Sequence, residues 1–432
     1  MTSPHRKSFL FLQGPHGPFF DRLGRMLRFA GCATWRVGFN KGDEVFWRDK
    51  ESYLSFRDEP GCWKDYLSSL FDEKSITDIV LYGDTRPIHA QAVELARSRG
   101  IRIHIFEEGY LRPYWVCYER DGSNGYSKLM DMSVPDMQAA LEGHDQLLHE
   151  APASWGDMKH HIFYGMLYHF QVLARNQGYK HFKPHRALSV RQEFGLYLRR
   201  LMLMPAAAIK RISRTRTVMR GGFPYHLVLL QLEHDASFQT HSPFSSITEF
   251  LDVVLRGFAQ GAPAHHHLVL KAHPLEDGRA PIRHEIKRLS RELNIENRVH
   301  FLRGGKLAAL MNTARSAVTV NSTAGQQALW RGIPLIIFGS AVYDKPEFVS
   351  TQSLSDFFVN PTRPDPKAYR AYRQYLLETS QIPGGFYSAK GRQQLLRQVV
   401  DMMLNRDDPY DALAAGTATP RQSLEVIHSV KG

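Results

Sequence analysis

The sequence predicts an α/β protein of two Rossmann-like domains facing across a cleft, with a helical insertion between them and helices at the C-terminus. Three observations carry this reading: apolar β-rich runs alternate with amphipathic helical stretches, the alternation comes in two separate series, and polar glycine-containing segments follow the runs. At 432 residues, 43% hydrophobic and 23% charged, the chain has the apolar material for two cores and the balance of a folded protein.

In the first series "SFLFLQ" (8–13) reads as a strand, "GPFFDRLGRMLRFAG" (17–31) as an amphipathic helix closed by glycine, and "TWRVGF" (34–39) as a second strand. "TDIVLYGD" (77–84), "IHAQAVELARSRG" (88–100) and "IRIHIF" (101–106) then make a strand–helix–strand unit, so this half is expected to be a parallel sheet flanked by helices. The second series begins near residue 226 with "HLVLLQL" (226–232) and continues through "HHLVLKA" (266–272), "RVHF" (298–301), "SAVTV" (316–320) and "PLIIF" (334–338). The expected domains are therefore residues 1–154, a helical basic connector over 155–222, a second Rossmann-like domain over 223–365, and C-terminal helices over 366–432.

Composition narrows the partners. Cys32, Cys62 and Cys117 are few and far apart, which excludes a disulfide framework and a cysteine zinc site; no other metal cluster is evident. "FLFLQ" is broken at once by "GPHGP" and is too short for a signal-peptide core, so a cytoplasmic location is expected. No run approaches the roughly 20 apolar residues that cross a bilayer. The formal charge of +12 calls for an anionic partner: nucleic acid, lipid headgroups or a phosphorylated substrate. Nucleic acid is disfavoured, because the aromatics do not form a stacking platform. Residues 199–220 hold seven Lys or Arg, Arg211, Arg214 and Arg216 among them, and no acid, beside "LMLM". That segment suits an anionic membrane surface, or else a solvated connector.

Ligands of open α/β sheets gather at the carboxyl ends of strands, where loop amides and helix N-termini converge. In the first half that edge carries Gly14 and His16 of "QGPHGPFF", Asp84 and Arg86 of "YGDTRP", and Glu107, Glu108 and Arg112 of "FEEGYLRP". In the second it carries Glu233 and Asp235 of "QLEHDASF", Lys271 and His273 of "KAHPLEDG", and Asn321, Ser322, Thr323 and Gln327 of "NSTAGQQALWRG". The glycines near Gly14 do not form GxGxxG and can simply shape a turn. Ser322 or Thr323 can cap a helix while free amides bind phosphate. Two adjacent acids after an apolar strand point to opposite faces of the sheet, and a carboxylate so placed can act as nucleophile or general base, with a cation such as Arg112 setting its ionisation. A solvated turn is the plain alternative.

Taken together and in order, "FLQGPHGPFFDRLGRML", "YGDTRPIH", "FEEGYLRPYW", "LLQLEHDASF", "LKAHPLEDG" and "NSTAGQQALWRGIPLIIFG" resemble the bacterial capsular polysaccharide biosynthesis and export proteins of the KpsS/KpsC type. The single-module length and the Glu-Glu-Gly-Tyr form are similar to the KpsS type. The resemblance implies a GT-B-like, retaining β-Kdo glycosyltransferase that uses CMP-Kdo as donor substrate, needs no other cofactor, and starts the capsule linker on a lyso-phosphatidylglycerol acceptor. It implies a phospholipid or glycolipid acceptor, an anionic membrane surface and other capsule proteins as partners, with the enzyme peripheral at the inner membrane. By the same resemblance Glu108 matches the nucleophile, Glu107 being the alternative because related modules carry Asp there. His273 and the Asn321-Ser322-Thr323 turn match contacts to the cytidylate phosphate and donor carboxylate. Gln327 stands where many such helices have a ribose-binding Glu. Lys271 adds positive charge for a dianionic donor, and Glu107, Asp84, Glu233 and Asp235 are candidate bases. A GT-B-like nucleotide-sugar epimerase and a non-catalytic export scaffold are the competing readings.

Overall fold

The computed structural model describes residues 6–112, 114–143, 157–183, 189–199, 202, 216, 218–274, 276 and 278–418. They form two compact units: residues 1–123, 140–201 and 374–432 in the first, 124–139 and 202–373 in the second.

In the first unit β1 (Ser8–Phe11), α1 (Phe19–Phe29), β2 (Ala33–Gly38), α2 (Lys41–Val45), β3 (Tyr53–Ser55), α3 (Trp63–Glu73), β4 (Asp78–Tyr82), α4 (Pro87–Ser98), β5 (Arg102–Glu108) and β6 (Trp115–Arg120) follow in order. Together with β12 (Gln381–Pro383) these strands make a seven-stranded sheet ordered β12-β6-β5-β4-β1-β2-β3. The expected all-parallel sheet is corrected here: β6 runs antiparallel to both β5 and β12. Every residue of β6 is buried, because neighbouring strands cover both its edges. One face of the sheet packs Phe9, Phe11, Val80 and Phe106 against Leu23 and Leu27 of α1 and Leu395 and Val399 of the helix Ala389–Leu404. The other packs Leu10, Ile79, Leu81, Ile103 and Ile105 against α3 and α4. Alternate residues of each strand thus feed separate cores, as the pleat requires.

The expected boundaries also shift. Residues 124–139, which include most of α5 (Val134–Ala140), join the second unit, where Lys345 Nζ donates to the carbonyls of Leu129 and Met130. The helix α6 (Asp157–Arg175) and helical residues 190–199, expected in a connector, belong to the first unit. Tyr168 of α6 accepts from Asn40 Nδ2 at 2.6 Å, which anchors it at the end of β2. The C-terminal helices return to the first unit because β12 pairs with β6. Of the basic segment 199–220, residues 200–201, 203–215 and 217 lie outside the described residues.

The second unit holds β7 (Tyr225–Leu229), β8 (His267–Lys271), β9 (Val299–Leu302), β10 (Ser316–Thr319) and β11 (Leu335–Ile337), all parallel, in the order β11-β10-β7-β8-β9. The helices Ile247–Gly261 and Ile282–Glu292 bury their apolar faces on Val228, Leu268, Leu270 and Val318. Two Rossmann-like sheets are the α/β, GT-B-like class expected. Among the described residues no helix is long and apolar enough to cross a membrane.

Each sheet buries histidine at the amino ends of its strands. His104 lies between Asp78 Oδ1 at 2.8 Å and the Tyr118 hydroxyl at 2.7 Å, and burial lowers it to about 4. His226 lies against Ser316 Oγ at 2.8 Å, and burial lowers it to about 3. The folded protein therefore holds both rings neutral, while an unfolded chain takes up protons below about pH 6.5. Stability is complete above that value and falls as pH drops toward 4, by roughly 2 kcal/mol per ring at pH 5. Thermal denaturation at pH 7, 6 and 5 should show this decline, and His226→Gln should be less stable at pH 7 but less sensitive to acid; an equal slope in the variant would rule the ring out as a source.

Candidate functional site

In the first sheet β2 and β3 lie on one side of β1 and β4 and β5 on the other. The winding therefore reverses between β1 and β4, and the segments leaving their carboxyl ends diverge to open a crevice. Gly14 and His16 leave β1 there, and Asp84 and Arg86 leave β4. β5 is the next strand along, and it delivers Glu107 and Glu108 to the same edge, both half-buried.

Alternation separates the two acids. Glu107 continues the row of Ile105, on the α3–α4 face, and Glu108 that of Phe106, on the α1 face. Tyr82 at the end of β4 donates to Glu108 Oε1 at 3.4 Å and is hydrogen-bonded to Tyr387. Burial, and after it the charges of Glu108 and Glu107, push the Tyr82 phenol well above its ordinary value, so this hydroxyl keeps its proton and remains a donor. Gly83 has φ +72°, and a β-carbon there would sit 2.7 Å from Glu107 Oε1. Only glycine gives both that turn and room for the carboxylate. The Arg86 guanidinium lies over the Tyr82 ring, 5.5 Å from its centroid, and places a cation beside the acids.

Gly109 explains why the acid pair is followed by glycine. Its amide donates to the Trp115 carbonyl at 3.0 Å, and a β-carbon would come within 2.3 Å of that oxygen. The β5–β6 turn is thus closed by backbone contact. Beyond it the amides of Tyr110 and Leu111 donate to Gln381 Oε1, at 2.8 and 3.3 Å, and Arg112, exposed, donates to the Gly109 carbonyl at 3.2 Å.

An aromatic and histidine wall borders this edge. His16 stacks on Tyr168, 4.2 Å between centroids, and lies edge-on to His169; His161 stacks on Tyr387 at 4.4 Å. Sequence reasoning missed Tyr82, Tyr387 and these α6 residues. The i, i+3, i+7 spacing of His161, Tyr164 and Tyr168 is the signal that marks one helix face. Gly14 lies against the Phe20 ring, and Asp84 is buried with Oδ2 accepting from the Ser123 amide at 2.9 Å, so it braces the crevice.

In the second sheet the winding reverses between β7 and β10. Gln231, after β7, and Asn321, after β10, grip each other: Gln231 Nε2 donates to Asn321 Oδ1 at 2.7 Å, and Gln231 Oε1 accepts from the Asn321 amide at 2.9 Å. Asn321 Nδ2 donates to the carbonyls of Ser237 and His241. Both N–H bonds of the side chain are thereby used, which fixes the turn that begins with Asn321. Sequence reasoning missed Gln231. Ser322 Oγ accepts from the Ala324 amide at 3.2 Å, whereas Thr323 makes no side-chain cap on the helix Ala324–Trp330. The Tyr343 hydroxyl donates to the Ser322 carbonyl at 2.5 Å. Gln327 is half-buried on that helix.

His273 is half-buried in a turn closed by the Glu276 amide, and the buried Lys271 donates to the Ala272 carbonyl at 2.7 Å. Glu233 Oε2 accepts from the Ile247 amide at 3.0 Å, so the carboxylate serves the amino end of the helix Ile247–Gly261. Asp235 is exposed at the start of the helix Ala236–His241.

A family profile described as capsule polysaccharide biosynthesis protein matches residues 77–387, which span the acid pair, the crevice of the second sheet and β12. The chain belongs to this capsule polysaccharide biosynthesis family. It is 30% identical over 395 residues to the capsule polysaccharide export protein KpsS of Escherichia coli, covering 88% of this chain and 97% of that one. It is also 30% identical over 385 residues to the capsule polysaccharide modification protein LipB of Neisseria meningitidis serogroup B, covering 88% and 92%. Among solved structures, the KpsC beta Kdo 2,7 transferase of Thermosulfurimonas dismutans aligns with a TM-score of 0.42 at 12% identity, over 92% of this chain and 100% of that one. Within this capsule family member the turn at Gly109 admits no side chain: Gly109→Ala should cost about 1–3 kcal/mol, as overpacking does. Chemical denaturation measures that cost, and an unchanged midpoint would show that β5 and β6 can separate without penalty.

Proposed function

We propose that this capsule polysaccharide family member is a glycosyltransferase: a retaining β-Kdo transferase that takes Kdo from CMP-Kdo and adds it to lyso-phosphatidylglycerol. It works peripherally at the cytoplasmic side of the inner membrane, with other capsule proteins as neighbours in the pathway. The observation that best supports this reading is the half-buried Glu107–Glu108 pair at the end of β5, with Glu108 held by Tyr82. A carboxylate fixed at a doubly wound crevice suits attack on an anomeric carbon.

In the first step a Glu108 oxygen bonds to the anomeric carbon while the bond to the cytidylate oxygen breaks, and the electron pair leaves on the phosphate. In the second the acceptor hydroxyl attacks that carbon, Glu108 is released, and a base takes the hydroxyl proton. Two inversions give net retention. Glu107 is the candidate base, since it sits one residue away on the opposite face. Tyr82 orients Glu108 by donating to it. His273 and Lys271 bring a donor and a cation for the phosphate and carboxylate of CMP-Kdo, Ser322 and Thr323 line the same approach, and Gln327 is the candidate ribose contact. Cytidylate is a good leaving group, so the scheme calls for no further cofactor.

The experiment is incubation with CMP-Kdo and lyso-phosphatidylglycerol, followed by mass spectrometry for addition of one Kdo. Glu108→Gln should keep CMP affinity and lose transfer by about 100-fold or more, as loss of a nucleophile does. Transfer within about threefold of the parent would remove Glu108 from the role and make Glu107→Gln the deciding variant. Conversion of the sugar nucleotide with no acceptor present would replace transfer by epimerisation. For the donor, His273→Ala should weaken CMP binding roughly 10- to 150-fold in calorimetry, the worth of a charge-assisted hydrogen bond; unchanged affinity would make His273 structural.

A further inference from the structure

The helix α6 buries Ile162, Tyr168 and Val172 but also carries apolar side chains on the face turned away from the fold. Its inward face carries His161, Tyr164, Tyr168 and His169, the wall described above. Its outward face carries Phe163, Phe170 and Leu173, with relative exposures of 48%, 47% and 43%, and the half-buried Met166. These four residues fall at 3- and 4-residue steps and so form one stripe, about 15 Å long at 1.5 Å per residue. Met158, five residues before Phe163, is also 55% exposed. Single exposed apolar residues are ordinary, but a continuous stripe of Phe, Met and Leu marks a contact surface.

The charges around the stripe identify what it contacts. From Met158 to Lys183 the sequence has no Asp or Glu. Lys159 stands at one end of the stripe, and Arg175, Lys180 and Lys183 follow the other, all exposed. In helical residues 190–199, which lie beside α6 through Phe170 and Phe194, the one acid, Glu193, is buried, while Arg191 and Arg199 are exposed. A second copy of the chain would bring the same basic rim against this one, which opposes self-association. A purely electrostatic polyanion has no use for the apolar stripe. An apolar helix face with a one-signed basic rim fits an anionic lipid surface, the Phe and Leu side chains entering the acyl boundary and the Lys and Arg meeting headgroups.

We infer that the outward face of α6, with Phe163, Met166, Phe170 and Leu173 inserted and Lys159, Arg175, Lys180 and Lys183 around them, seats the protein on an anionic bilayer. This deepens the lipid-acceptor reading, on which its purpose rests. His161 on the inner face stacks on Tyr387, which is hydrogen-bonded to the Tyr82 that holds Glu108. One helix thickness, about 10 Å, would then separate the lipid headgroups from the candidate nucleophile.

The test is flotation of the full chain with vesicles, without donor or acceptor, so that it fails or succeeds independently of transfer. Phosphatidylcholine vesicles are compared with vesicles carrying about 30 mol% phosphatidylglycerol, at low and high salt. Binding is expected to the anionic vesicles alone and to fade with salt. Phe163→Ser with Phe170→Ser should lower partitioning by about tenfold or more, and Lys159→Ser with Lys180→Ser and Lys183→Ser should lower it and flatten the salt dependence. Circular dichroism should stay at the parental spectrum in both variants, and Phe163→Ser alone, which leaves the Phe170–Phe194 contact intact, should keep the parental melting temperature while still lowering partitioning. Equal binding to neutral vesicles overturns the inference, as does parental binding in the folded Phe variant. A change from dimer to monomer in that variant, without change in vesicle binding, also overturns it and makes the stripe a contact between copies.

Discussion

One fully buried carboxylate, Glu119 on β6, holds the candidate catalytic turn in place. Glu119 Oε1 accepts from the Tyr110 hydroxyl at 2.5 Å and from Cys117 Sγ at 3.1 Å, and Oε2 accepts from the Tyr410 hydroxyl at 2.9 Å. An isolated charge in that position would be prohibitively costly, and three donors offset the lost water. Burial foremost, with the Glu119 charge adding to it, pushes the Tyr110 phenol and the Cys117 thiol well above their ordinary values, so both retain their protons and remain donors. The residue immediately after Gly109 is thereby tied to β6 and to the C-terminal helix Pro409–Ala414. Gln381 of β12 holds the same turn from its backbone side. The position of Glu108 thus depends on residues about 270 to 300 positions later in the chain.

The second unit solves the corresponding problem with neutral groups. Gln231 and Asn321 exchange two hydrogen bonds where the winding reverses, and the Asn321 side-chain amide donates to the carbonyls of Ser237 and His241 in the helix Ala236–His241. In the first unit Arg86 places a cation beside the acid pair, so the charges at the two crevices differ.

Much of this was legible beforehand because it follows from local rules. The central parallel strands announce themselves as apolar runs, and the alternation that sends Glu107 and Glu108 to opposite faces is a property of the strand itself. Gly83 and Gly109 were visible as glycines, but their reasons, a carboxylate at one and a carbonyl at the other, lie in contacts that only folding creates. β3 and β12 are three residues each, too short for any periodicity, and β6, which is not assigned from the sequence, takes its antiparallel direction from pairing with β5 and β12. Asn321 and Glu233 looked like site residues because they occupy the right segments. Their partners, Gln231 and the Ile247 amide, lie 90 and 14 positions away, and only the fold reveals them.

By itself the sequence determined the two α/β series, the crevice segments, the acid pair and the excess of positive charge, since each is written in composition, spacing or period. Tertiary structure decided where the chain changes unit, because β12 finds its partner in β6 and Lys345 finds the carbonyls of 129 and 130 only once the sheets exist. It also decided which face of α6 looks inward. A periodic mixture of Tyr, His, Phe and Leu is compatible with either orientation; packing of Tyr168 on His16 and of His161 on Tyr387 selects the polar aromatic face and leaves the Phe and Leu stripe outside. The physical reason is that hydrogen-bonding and stacking partners for those rings come from β1, β2 and β12, elements far away in sequence and adjacent only in the fold.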